Sequence, residues 1–207
     1  MQRVVLKGKQ IRLEPLELDH TDALVAASAG DAELYRWSPV PQTKEAATKY
    51  IETALAWSEA GKALAFAVVR LSDEQVVGST RFFEIERFAS PAGHDRHALA
   101  TPDVCEIGYT WYSRSAVRTA VNTEAKLLLL THAFETWKVL RVCLHTDIRN
   151  ERSRAAMERI GCKFEGILRA HRIAADFIAR DSARYSIVAA EWQEVKLNLQ
   201  RHLLPRQ

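Results

Sequence analysis

Residues 103–148 read DVCEIGYTWYSRSAVRTAVNTEAKLLLLTHAFETWKVLRVCLHTDI, and this stretch decides the fold. Residues 103–112 have strand character. From Val121 to Trp137 the pattern changes to a helical one. Leu127 to Leu130, Ala133, Phe134 and Trp137 make this helix apolar nearly all round, which predicts burial rather than a half-exposed position. Residues 141–148 return to a strand. Strand, helix and strand in this order form a βαβ unit, whose two strands are parallel and joined by a right-handed crossover.

Outward from this unit, further elements follow from local signals. Residues 3–14 predict one strand or a pair of short strands. Asp19 is expected to cap a helix through Ala29, closed by Gly30. Thr43, with Glu45 in the first turn, starts a second helix toward Gly61. Residues 63–70 and 75–88 form a hairpin about the turn Ser72-Asp73-Glu74. Residues 89–102 are a long polar loop. Asn150 caps a helix that ends at Gly161. Two more strands, 164–173 and about 180–189, precede a C-terminal helix from near Glu191.

A chain of 207 residues is expected to form one α/β domain over residues 1–207. Its 47% hydrophobic and 27% charged content excludes a disordered or collagen-like chain. A net charge of +3 is too small to argue for a nucleic-acid partner. The arginines at 141, 149, 152, 154, 159, 169 and 172 are interleaved with acids, as on solvated faces. Cys105, Cys143 and Cys162 have neither disulfide-framework nor zinc spacing and read as reduced, buried thiols. The first residues, MQRVVLKGKQ, lack the apolar core of a signal peptide, and no run is long enough to span a membrane. The expected location is the cytoplasm. A homodimer is the default assembly.

Two segments carry candidate chemistry. In Tyr112–Ala125 a strand enters a buried helix. The helix N-terminus offers unpaired N–H groups, and Arg114 and Arg118 add charge. Together they make a cradle for phosphate or pyrophosphate, unless both arginines are simply solvated. In Asn150–Gly166 a second helix starts at the same sheet edge, so Asn150 and Ser153 lie across one crevice from the cradle. Asn150 also reads as an N-cap, and the two roles are compatible.

Three segments together resemble the GNAT superfamily of acyl-CoA-dependent N-acyltransferases, in the branch typified by ribosomal-protein N-terminal acetyltransferases. They are EIGYTWY with NTEAKLLLLTHAFE, then RVCLHTDIRNERSRAAMERIGCKFEGILR, then RDSARYSIVAAEW. The resemblance implies a single GNAT-like domain. Its sheet is mixed and mostly antiparallel, with about seven strands, a central parallel pair and flanking helices. It implies acetyl-CoA as cosubstrate, no metal, and direct transfer to a primary amine, either a protein N-terminus or a small molecule.

The family's Q/R-x-x-G-x-G/A signature matches Val117, Arg118, Thr119, Ala120, Val121 and Asn122. Ala120 stands where glycine is usual and Asn122 where glycine or alanine is usual. The resemblance assigns Arg118, Thr119, Ala120, Val121 and Asn122 to the CoA pyrophosphate. It assigns Trp111, Tyr112, Asn150 and Ser153 to the pantetheine and thioester, with a local splay or bulge near Tyr112 and Ser153 as acid for the departing thiolate. The methyl of Ala120 disfavours positive φ but leaves a right-handed turn open. The missing glycines also suit an alternative, a GNAT-fold module that binds CoA or a protein partner without turnover.

Glu106, between apolar neighbours on its strand, is the first candidate base, because desolvation would strengthen it as a proton acceptor. The competing role is a strand carboxylate facing solvent or paired with an arginine. Tyr109 and Tyr185 are further polar groups near the crevice. His171 is a candidate for the acceptor site. His132 and His145 read as structural. His94, Asp95 and His97 have no third ligand and read as loop residues rather than a metal site.

Overall fold

The structure is a computed structural model that describes residues 3–30, 32–89, 91, 94, 96, 100–174 and 177–204. Its strands are β1 (Leu6–Lys7), β2 (Ile11–Pro15), β3 (Ala63–Arg70), β4 (Gln75–Glu86), β5 (Val104–Tyr112), β6 (Arg141–Asp147), β7 (Lys163–Ile173) and β8 (Ala179–Val188). Its α-helices are α1 (Thr21–Ser28), α2 (Lys44–Glu59), α3 (Val121–Thr131), α4 (Glu151–Arg159) and α5 (Trp192–His202). The strands form one sheet in the order β1-β2-β3-β4-β5-β6-β8-β7. Only β5 and β6 run parallel. The mixed sheet agrees with expectation. There are eight strands rather than about seven, because residues 3–14 split into β1 and β2 around a turn.

Helical caps follow their sequence signals at two of three places. Thr43 accepts a hydrogen bond from Ala46 N–H at 3.2 Å, and Asn150 Oδ1 accepts from Ser153 N–H at 3.1 Å. Asp19 does not cap α1. It lies inside a short 3-10 turn, Leu18–His20, where Glu17 N–H donates to His20 Nδ1 at 3.0 Å, and α1 starts only at Thr21. The predicted helix through Trp137 is α-helical to Thr131 and continues as one π-helical turn, His132–Thr136.

The two sheet faces carry separate cores. On one face α3 and α5 pack Ala125, Leu129, Val195 and Leu199 against Phe82, Cys105, Ile107, Val142 and Leu144. On the other, α1 and α2 bring Leu24, Ile51 and Ala54 onto Ala65, Ala67 and Trp111. The second helical layer covers β2 to β4 and the end of β5. The same face of β6 and β8 carries Cys143, His145 and Asp147 opposite Ser186, Arg184 and Ser182. A polar half-face therefore adjoins an apolar one. Among the described residues no helix is long and apolar enough to cross a membrane. The three cysteines are free and buried.

One buried carboxylate ties the sheet edge to α3. Glu124, 4% exposed, accepts from the backbone N–H groups of Lys9, Gln10 and Ile11 at 2.8, 2.8 and 2.9 Å. The β1–β2 turn thus wraps the side chain as a nest of donors. Gly8 completes it, because a Cβ there would lie 2.8 Å from both carboxylate oxygens. Glu124→Ala strands three N–H groups and is expected to lower stability by about 3 kcal/mol or more, read as a lower urea midpoint. An unchanged midpoint would show that water satisfies the turn.

Candidate functional site

The site begins where the parallel ladder stops. β5 and β6 pair only over Val104–Arg141, Cys105–Val142 and Glu106–Cys143. Beyond these pairs β5 runs on to Tyr112 and β6 to Asp147 without bridging each other. A wedge opens between them, lined by backbone donors and acceptors that a continuous ladder would have consumed. It widens toward the strands' C-terminal ends, where α3 and α4 start.

A bulge shapes the β5 side of the wedge. Arg81 pairs with Gly108 and Ser79 with Trp111, so β5 holds one extra residue there. Tyr109 takes φ of 51° to make it. The extra residue reverses the side-chain alternation. Ile107 faces α3, yet Trp111 enters the α1–α2 core and Tyr112 the α3 core. The expected bulge is present, but the Trp111 and Tyr112 side chains are core groups. Tyr112 carbonyl accepts from the Tyr35 hydroxyl at 3.0 Å, and burial pushes the Tyr112 phenol up.

The bulge is held from both faces. On one, the Tyr50 hydroxyl donates to Tyr109 carbonyl at 3.4 Å. There the buried Arg81 guanidinium stacks on the Tyr109, Tyr50 and Trp57 rings at 4.2, 4.6 and 5.6 Å. On the other, Lys126 Nζ of α3 donates to Thr110 Oγ1 at 3.0 Å, which meets Thr80 Oγ1 at 2.7 Å. Burial lowers the Lys126 ammonium to a pKa of about 8.

The cradle forms at the start of α3. Arg118 is left-handed, with φ of 64°. Ala120 is the N-cap with φ −71° and ψ −11°, a right-handed conformation that needs no glycine. The substitution of the usual glycine is therefore sterically free at this backbone. Thr119 Oγ1 donates to Ala116 carbonyl at 2.6 Å and accepts from Val121 N–H at 3.3 Å. Among the described residues no backbone carbonyl takes the N–H groups of Arg118, Thr119, Ala120 or Asn122. These donors, the helix N-terminus and the exposed Arg118 together suit an anion.

Across the wedge, Asn150 is 8% exposed and commits its Oδ1 to the Ser153 N–H, leaving its Nδ2 uncommitted among the described residues. Ser153 is partly buried in the first turn of α4. Arg149 closes on Asp147 at 2.7 Å and also stacks on Trp37 at 4.6 Å. Arg152 donates to Leu34 carbonyl at 2.9 Å. These contacts strap the α1–α2 connection over the start of α4. Beside it lies an open cleft of about 460 Å³, bordered by Trp37, Arg114, Arg149, Asn150 and Arg152. Trp37 was not singled out from sequence, because nothing local marks it, and Arg149 and Arg152, read from sequence as solvated-face arginines, instead hold the α1–α2 connection.

Glu106 neither faces solvent nor pairs with an arginine. Its side chain is 2% exposed, and its Oε1 contacts Nδ1 of His145. His145 is thus not a purely packing residue. Its ring meets His171 edge-on at 4.8 Å and Phe83 at 6.1 Å. The structure gathers Glu106, His145 and His171 at the wedge, with Asn150 and the cradle along its open end. Tyr185 lies apart, fully buried, with its hydroxyl between Glu158 and Arg154. Asp95 and His97 lie outside the described residues, among which no group of three or more His, Cys, Asp and Glu could hold a metal.

Residues 10–163 match the family model for the acetyltransferase (GNAT) domain. The chain belongs to the GNAT acetyltransferase family. A Bacillus subtilis (strain 168) protein, "Putative ribosomal N-acetyltransferase YdaF", is 35% identical over 91 residues, covering 44% of this chain and 49% of that one. The matched region thus spans about half the length of that curated relative. A GCN5-related N-acetyltransferase from Brucella melitensis superposes with a TM-score of 0.83 at 29% identity, covering 99% of this chain and 87% of the other. Mycobacterium smegmatis RimJ, solved with CoA-disulfide, superposes with a TM-score of 0.75 at 21% identity, covering 93% and 88%, and shares the fold.

The buried ammonium of Lys126 gives a pH test of the support beneath the bulge. Its folded pKa of about 8 lies below the ordinary value of 10.5. Between these values the unfolded chain binds more protons, so the Lys126 contribution to stability rises with pH there. Lys126→Met is expected to be more stable than wild type at pH 7. The gap should shrink between pH 8 and 10.5, as read by denaturant melts across that range. A pH-independent gap would show that the ammonium is not desolvated.

Proposed function

We propose that the protein is an acetyl-CoA-dependent N-acetyltransferase that moves the acetyl group directly to a primary amine. The observation that carries this reading is the wedge between two parallel strands, with an anion cradle at the helix that follows the first. Family membership supports it.

In this reading the cradle N–H groups and Arg118 take the pyrophosphate of CoA. The pantetheine arm follows the open edge of β5 toward the bulge and passes Asn150. A backbone N–H at the bulge meets the acyl carbonyl, where negative charge develops. Ser153 is the candidate proton donor to the thiolate. The amine must be neutral to attack, and the proton acceptor belongs to the Glu106–His145 pair. An α-amino group, with a pKa near 8, deprotonates at less cost than a lysine near 10.4. That difference and the name of the curated relative both favour a protein N-terminus over a lysine, with a small-molecule amine as the other class. Acetyl-CoA chemistry and three reduced thiols favour the cytoplasm.

The alternative of a module without turnover rested on the missing glycines. The right-handed Ala120, which needs no glycine at that backbone, favours the transferase reading over it.

Calorimetric titration with acetyl-CoA tests the cradle. Wild type is expected to bind, and Arg118→Glu to bind at least tenfold more weakly, a loss of about 1.4 kcal/mol. Arg118→Gly separates two effects. It should gain up to about 1 kcal/mol of stability by relieving the left-handed φ, while still weakening acetyl-CoA through the lost charge. Thiol release with peptides bearing free N-terminal alanine or serine then tests transfer. Failure of wild type to bind acetyl-CoA would sink the reading.

A further inference from the structure

We propose that His145 is the general base and that Glu106 is its positioning residue. This inference rests on the transferase reading and resolves its proton acceptor to one atom, Nε2 of His145.

Three observations carry it. First, Glu106 is sealed. Both carboxylate oxygens are buried, and among the described residues their one polar contact is Nδ1 of His145. A carboxylate so enclosed has no route to an incoming amine. Second, His145 lies inside the wedge. It follows Cys143, the last β6 residue paired with β5, by two positions and shares the face of Glu106. Its side chain keeps 8% exposure, and because Nδ1 is sealed, that exposure belongs to the rest of the ring. Third, the pair fixes the tautomer. With Nδ1 turned to a carboxylate, a group that accepts, the tautomer that suits the contact carries its proton on Nδ1 and its lone pair on Nε2. The carboxylate also stabilises the imidazolium that forms during the reaction, as in other carboxylate–histidine dyads.

The step balances without an outside reagent. The amine nitrogen forms a bond to the acyl carbon, and the proton it sheds goes to Nε2. The carbon–sulfur bond breaks and the electron pair leaves with sulfur. The thiolate then takes up a proton, through Ser153 or solvent, and His145 returns its own to solvent.

The ionisable groups around His145 come from every neighbouring strand. They are Glu106 on β5, Cys143 on β6, His171 on β7 and Arg184 opposite it on β8, with Glu84 of β4 and Arg172 of β7 acting on His171. Glu84 and Arg172 pair with each other. Burial, then His145, holds the His171 imidazole below its ordinary range.

The test uses the full chain with acetyl-CoA and the peptide that wild type acetylates fastest, scored by thiol release. His145→Ala should lower kcat at neutral pH by about 100-fold or more, with acetyl-CoA affinity unchanged and melting lowered, since Glu106 loses its one polar contact. Added imidazole should restore part of the rate, saturably, in proportion to its unprotonated form. Glu106→Gln should also lower kcat, and imidazole should not rescue it. In wild type, nitrogen-15 NMR of labelled histidine should show His145 protonated at Nδ1, a readout that survives if the alanine variant misfolds. His145→Ala with kcat within threefold of wild type would overturn the assignment. So would a folded, acetyl-CoA-binding variant that imidazole does not rescue, or an Nε2–H tautomer. Wild type that binds acetyl-CoA but releases thiol with no peptide would instead overturn the transfer reading, and the assignment with it.

Discussion

Two parallel strands that stay together for only three residue pairs set the terms for everything else in this molecule. A βαβ unit normally zips its strands along their length. Here the extra residue at Tyr109 turns β5 away from β6 and leaves a row of backbone groups without a partner strand. Such groups are costly to seal, so the wedge stays open as a place for a ligand with its own donors and acceptors. The helix after each strand starts at the open end and adds its own N–H groups. The same divergence exposes the ring of His145, which a continuous ladder would bury.

Holding that wedge open requires charges in places where charges are expensive. Among the described residues Arg81 has no carboxylate partner and relies on three aromatic rings. Lys126 sits under the bulge with one hydroxyl partner. Glu124, two residues before it, is held by three backbone donors. α3 thus faces the sheet edge with an acid and the bulge with a base, and its N-terminus is fixed at two points. A cradle of backbone N–H groups works only if its helix cannot drift, and these buried contacts supply that rigidity.

The parts legible in the sequence were those written in local pattern. The apolar run of α3, the Thr43 and Asn150 caps and the hairpin of β3 and β4 all follow from spacing and turn residues. What stayed hidden depends on register or on conformations that sequence does not flag. Tyr109 and Arg118 adopt positive φ, yet neither is the glycine or asparagine that usually marks such a position. The Glu106–His145 contact joins residues 39 apart in sequence and follows from how β5 and β6 align, so His145 looked like packing. Asp19 had the right chemistry for a cap, but the backbone tightened into a 3-10 turn one step too early. Ala120 was the reverse case: the usual glycine is not required by the backbone, because the helix begins there in a right-handed turn.

The nest around Glu124 also bears on the order of assembly. Its donors lie 113 to 115 residues upstream of the carboxylate they hold. During synthesis the β1–β2 turn emerges early and then waits, its amides solvated, until the start of α3 has left the ribosome. Contacts of such long sequence separation are slow to find, since the loop between them must close first. The β1–β2 turn, made before α3, is thus secured only after it, and docking of the sheet edge reports that α3, and with it the cradle, is already in place.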